Sequence, residues 1–170
     1  MKEARNWFLA ILENYQFYTV NIIVQSRSDM AGYSETPLAK KLGIKEGSRL
    51  GFVNAPKGFR KELGSLPAGA KIFVGHLPKP LDLIILFTDS TRTLKIEFSV
   101  LAEKLSANGM LWIAWPKKSS GVSTDLSFDI VQHTGLEAGL VDVKICAVNE
   151  TWSGLKFVYR LKDRKLLHQS

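Results

Sequence analysis

The sequence predicts an α/β fold: a mainly parallel sheet with helices on both faces and an antiparallel hairpin at its C-terminal end. Three observations carry that prediction. Short apolar runs alternate with stretches of helical periodicity from residue 30 onward. The run Leu81–Thr88, "LDLIILFT", is almost continuously apolar, as a strand covered on both faces requires. Two alternating runs near the end are joined by the short link "NETWSG", which suits an antiparallel pair.

Taken in order, Thr36 is placed to cap a helix beginning at Pro37, whose φ is pre-set for that position, and Gly43 is placed to end it. Arg49–Asn54 reads as the first strand and runs into the turn Asn54-Ala55-Pro56-Lys57 before the next helix. Lys71–Val74 reads as the second strand. From Thr91 the apolar positions Leu94, Phe98, Leu101 and Leu105 lie on one helical face, with "SANG" closing the helix at Gly109. Met110–Trp115 is the next buried strand, and Asp125 is placed to cap the helix after it. Val141, Val143, Ile145 and Ala147 alternate with Asp142, Lys144 and Cys146, and Leu155, Phe157 and Tyr159 share a face of the last strand. Strands alternating with helices imply right-handed parallel crossovers. One link resists: "GHLPKPL", between Val74 and Asp82, is too short for a helical crossover. Either the strand at 71–75 runs antiparallel or a bare extended segment makes the return.

Composition narrows the function classes. At 170 residues, 45% hydrophobic and 23% charged, the chain suits a domain of ordinary globular composition. The first 29 residues differ in texture, aromatic-rich without a clean period, and are expected to be an N-terminal extension. Residues 30–170 are expected to form the domain, with Met30 as the native initiator and 1–29 an upstream translated extension; the alternative is a genuine helix that docks its aromatics on the domain. The net charge of +7 falls on 30–170, because Lys2, Arg5 and Arg27 balance Glu3, Glu13 and Asp29. Such a basic domain attracts anionic metabolites, acidic proteins and nucleic acid alike, though no nucleic-acid motif accompanies the charge. No apolar run reaches the length of a membrane span, and a cytoplasmic location is expected. The single cysteine, Cys146, excludes an internal disulfide and reads as a packed thiol. His76, His133 and His168 have no metal-ligand spacing, so no metal is expected.

The segments "DLIILF…LAEKLSANGMLWIAW" and the terminal hairpin resemble the Rossmann-like fold of S-adenosylmethionine-dependent methyltransferases, trimmed by one βα unit. More closely, "MAGYSETPLAKKLGIK", "NAPKGF", "GMLWIAWPKKSSGVSTDL" and "GLVDVKICAVNETWSGLKFVYR" resemble a bacterial family catalogued as domain of unknown function 3052. That resemblance covers nearly all of 30–170. It implies the methyltransferase-like fold and carries no activity.

The residues that an adenosyl or nicotinamide cofactor needs are not visible. Such folds place glycines after the first strand and an Asp or Glu about 20 residues on. Here the turn holds Pro56, which lacks an N–H, and no carboxylate lies between Ser65 and Leu81. No cofactor is therefore predicted. Ligands of open parallel sheets sit beyond the carboxyl ends of the strands. The loops expected there supply Asn54 and Lys57; Asp89 and Ser90; Lys117, Lys118, Ser119 and Ser120 after Trp115; and Glu150, Thr151 and Trp152. Lysine and serine together suit a phosphate or carboxylate, and Trp115 or Trp152 suits a flat ring. In the opposing reading, Asn54 caps its own turn, Glu150 pairs with Lys117 or Lys118, and Trp152 folds over the hairpin as a plug. The leading expectation is a non-catalytic domain that binds an anionic small molecule or a protein partner at this rim. The runner-up is a divergent methyltransferase with Asp89 or Glu150 as its polar group. A third is nucleic-acid association through the basic tail Lys156–Lys165.

Overall fold

Among the described residues six strands take shape where β-branched and aromatic residues recur, and the buried ones lie at the centre of a single sheet. The structure, a computed structural model, describes residues Thr36–Leu167. The expected extension 1–29 and His168 lie outside the described residues. In chain order the elements are α1 (Leu38–Leu42), β1 (Arg49–Val53), α2 (Phe59–Glu62), β2 (Lys71–Val74), β3 (Leu81–Phe87), α3 (Thr91–Ala102), β4 (Leu105–Pro116), α4 (Phe128–Glu137), β5 (Leu140–Ala147), β6 (Trp152–Tyr159) and α5 (Leu161–Leu167). The strand order is β2-β1-β3-β4-β6-β5. β2, β1, β3 and β4 run parallel, and β6 is antiparallel to both neighbours. This is the expected α/β architecture with its terminal hairpin.

Alternation along β3 and β4 divides the core into two layers. Leu81, Ile84, Leu86, Leu111, Ile113 and Trp115 face α3 and α4, where they meet Leu94, Phe98 and Val131. Leu83, Ile85, Phe87, Trp112 and Ala114 face the other way, toward α1 and α2, and meet Leu42, Phe59 and Leu63. Trp112 is fully buried and its Nε1 donates to the Leu42 carbonyl at 3.0 Å, so the one polar atom of the largest core side chain is satisfied.

The resisting link resolves as a bare segment. β2 is parallel to β1, so residues 75–80 return without a helix. Leu77 (7% exposed) takes the place of a covering helix. Gly51 of β1 admits it: a Cβ there would meet Leu81 Cδ1 at 3.0 Å and Leu77 Cδ2 at 3.2 Å.

Four local expectations are corrected. Pro37 itself is the N-cap of α1, its carbonyl accepting from Lys40 and Lys41, and Thr36 makes no cap. α3 ends at Ala102 rather than at "SANG". Leu105 pairs with Leu81 and Met110 with Leu83, so residues 106–109 bulge out of the ladder opposite Asp82. Gly109 is there because its backbone lies against two carbonyls: a Cβ would sit 2.8 Å from Leu81 O and 2.9 Å from Ser106 O. Ser127, not Asp125, caps α4 by accepting from Ile130 N. Finally, a bulge between Asp142 and Lys144 breaks the expected alternation of β5. Asp142 is buried and accepts from Gln132 Nε2 at 3.2 Å, while Val143 is exposed. Among the described residues no helix is long and apolar enough to cross a membrane.

Candidate functional site

Parallel strands end together, so the turns after β1, β3 and β4 and the β5–β6 turn share the carboxyl edge of the sheet. Hydrogen bonds tie these loops into a continuous rim. Asn149 of the hairpin turn donates from Nδ2 to Glu62 Oε2 at 2.7 Å, which joins the turn to the end of α2. Its Oδ1 accepts from Thr151 N and Trp152 N, both at 2.9 Å, the local turn that Asn side chains favour. Lys117 N donates to Thr151 O at 2.8 Å. Farther along, the Asp89 carbonyl accepts from Thr124 Oγ1 at 2.7 Å and from Asp125 N at 3.3 Å.

The expected site residues fall as follows. Asn54 and Lys57 are exposed in the turn after β1, with Asn54 in the left-handed region at φ 53°. Asp89 is exposed, and Ser90 caps α3 by accepting from Thr93 N. Lys117 is half-buried, while Lys118 and Ser119 are exposed on a 3₁₀ turn closed by Gly121 at φ 72°. Ser120 points back, donating from Oγ to Lys117 O at 2.7 Å. Glu150 is exposed. Trp115 is only 6% exposed and packs in the layer facing α3, on the opposite side of the sheet from Trp152.

Trp152 is half-buried and ends a chain of edge-to-face aromatics. Its ring centroid lies 5.2 Å from Phe87, Phe87 lies 4.7 Å from Phe59, and Phe59 lies 5.4 Å from Phe52. Phe59, the first residue of α2, is thus driven into the core directly behind the turn. Sequence reasoning missed Phe59, Glu62, Asn149 and Thr124. An aromatic after the Gly58 turn and an asparagine at the tip of a hairpin were the available signals.

This edge does not fit an adenosyl cofactor held in the manner usual for such sheets. Pro56 withholds an N–H from the turn, and Phe59 fills the space behind it. After β2 the chain presents exposed Val74, Gly75 and His76 where a carboxylate would clasp ribose hydroxyls. Asp82 lies at the opposite edge of the sheet, accepting from Arg49 N at 2.9 Å. No cluster of side chains suited to a metal ion occurs among the described residues. The shallow depression of about 430 Å³ lined by Asp129, Ile130, Gln132, His133 and Leu136 belongs to α4, not to the rim.

No family model matches the sequence, and no curated protein does. Solved structures do share its architecture. Precorrin-6y C5,15-methyltransferase from Geobacter metallireducens GS-15 superposes with a TM-score of 0.54 at 7% identity, over 78% of this chain and 95% of that one. Magnesium protoporphyrin IX methyltransferase from Synechocystis PCC 6803, solved with bound SAH, gives 0.50 at 10% identity, over 72% and 78%. A protein from Bordetella parapertussis described as a "possible exported protein" gives 0.53 at 10% identity, over 72% and 65%. The chain has the methyltransferase-like Rossmann fold, and these likenesses speak to fold alone.

Proposed function

We propose that the chain is a divergent relative of S-adenosylmethionine-dependent methyltransferases that takes its ligand at the carboxyl edge, through contacts rebuilt from the usual ones. The sheet order supports this reading above all, with antiparallel β6 inserted between β4 and β5. Two structural neighbours carry methyltransferase names, and one of them was solved with SAH. The motif resemblance to domain of unknown function 3052 agrees with the fold and adds no activity. Asp89 and Glu150 are two of the acids of the rim and the first residues to test for a role in transfer.

A second reading keeps the fold and drops the chemistry: a non-catalytic domain that binds an anionic small molecule or a protein partner. The Pro56 turn and the missing acid after β2 favour it. Lys57, Lys117 and Lys118 would supply charge, Asn54 and Ser119 hydrogen bonds, and Trp152 an aromatic face.

Calorimetry with S-adenosylmethionine and S-adenosylhomocysteine separates the two. Micromolar binding supports the methyltransferase reading. Silence up to about 1 mM, weaker than about −4 kcal/mol, transfers support to the second.

A further inference from the structure

We infer that the sheet face beside α1 carries an anion site, in which Lys41, Lys45, Lys144 and Lys156 gather around Cys146 and Trp112 and suit the phosphate group of a small metabolite. The bulge in β5 creates it. Beyond Asp142 the strand changes parity, so Lys144 and Cys146 join the α1 side of the sheet. Lys144 on β5 stands directly opposite Lys156 on β6, and Lys156 opposite Trp112 on β4. The next row toward the rim is Cys146, Gly154 and Ala114. Val148 and Trp112 fill the space over Gly154, where a Cβ would sit 2.8 Å from Val148 Cγ2 and 3.3 Å from Trp112 Cε3, so the packed floor of the site ends at this row. The end of α1 closes the site, with Lys144 Nζ donating to Lys41 O at 3.0 Å and Lys156 Nζ lying 5.9 Å from the centre of the Trp112 ring.

Like charges opposite each other on neighbouring strands destabilise a sheet. Lysine stems covering Trp112 and Cys146 explain long side chains here, but mixed charges would cover them without the repulsion. The ion pair His133–Glu137 lies on α4, away from this group of lysines. Burial depresses the Lys156 ammonium, and Lys144 and then Lys45 push it the same way. A bound dianion would offset the repulsion among these lysines. Ammonium groups act on phosphate as point charges and need no fixed fork geometry. Trp112 is fully buried beneath them, so recognition at this face is by charge rather than by stacking. The site adjoins the rim, since Lys117 also acts on Cys146, but it does not depend on the adenosyl reading.

Thermal unfolding with inorganic pyrophosphate, against sodium chloride at equal ionic strength, tests it. The expected result is a Tm rise of about 3–5 °C at ten times Kd. K144Q and K156Q should each weaken the apparent Kd about tenfold or more. K95Q, on the opposite face of the sheet, should leave it unchanged. Should K156Q fail to fold by circular dichroism, K45Q replaces it, since the Lys45 side chain is exposed. No rise beyond the chloride control, or a rise that survives in both variants, would overturn the site. Tighter binding of a single-stranded oligonucleotide than of pyrophosphate, lost in K144Q, would overturn the small-metabolite assignment.

Discussion

Trp152 meets Phe87 edge-on, at an interplanar angle of 89° and a centroid distance of 5.2 Å, so the first residue of β6 is packed onto the last residue of β3 across the end of β4. The contact ties the hairpin to the parallel part of the sheet at the level of the rim. The Asn149–Glu62 bond does the same one layer out.

Trp152→Ala should therefore lower stability by about 2–3 kcal/mol. That is less than truncation of a fully buried indole, because Trp152 is half-buried. Urea unfolding followed by circular dichroism measures it. A loss below about 1 kcal/mol would show that the aromatic chain does not hold the hairpin.

Gly135 lies within α4, where helix propensity alone favours alanine by about 1 kcal/mol. The packing decides otherwise. A Cβ at Gly135 would overlap Phe157, with its Cδ1 at 2.5 Å and its Cζ at 2.7 Å, so an aromatic ring fills the notch the glycine leaves. Gly135→Ala should destabilise by about 2 kcal/mol, and adding Phe157→Leu should recover part of that loss. A more stable single variant would mean that the helix shifts freely off the sheet.

Asp125 Oδ1 accepts from Thr91 N at 2.7 Å, so a loop residue from beyond β4 caps the first turn of α3. Asp125→Ala should cost about 1 kcal/mol and lower Tm by about 3 °C, with Asp125→Asn retaining most of it. Scanning calorimetry reads both.

Burial pushes the Cys146 thiol up, against the pull of Lys144, Lys41, Lys156 and Lys117. The folded state thus keeps its proton after the unfolded chain has lost it. This contribution is full below the ordinary thiol value of about 8.5 and fades as pH rises through the raised one. Tyr159, also raised, by burial and then Glu103, acts in the same direction at higher pH, and the lowered Lys156 opposes both. Cys146→Ala should flatten the decline in stability above about pH 8.5. Native protein should also react with a disulfide reagent far more slowly than protein in urea.

Much of this molecule was legible in its sequence because burial writes a strong pattern. "LDLIILFT" and "MLWIAW" marked β3 and β4, and the hairpin followed from two alternating runs with a short link. What escaped was set by tertiary contact. Leu105 keeps the helical spacing of Leu94, Phe98 and Leu101, yet it pairs with Leu81, because the ladder of β3 claims the backbone as soon as α3 ends. Asp125 has the chemistry of a cap and performs that role, but for a helix 34 residues earlier in the chain. The bulge at Val143 has no sequence signal at all, and it decides which face Lys144 and Cys146 join. At the rim, residue types were readable from the loops, whereas the bonds among Glu62, Asn149 and Thr151 depend on loops brought together by the fold.

The bare return from β2 to β3 bears on how the molecule meets others of its kind. Among the described residues it leaves β2 as the outermost strand on that side, four residues long, with Lys71 exposed at its start and Val74 72% exposed at its end. An unpaired strand edge is a template for intermolecular pairing, and brevity and lysine are among the devices that blunt it. At this border a foreign strand would find few bonds to make and a charge to bury, a combination that disfavours edge-to-edge growth.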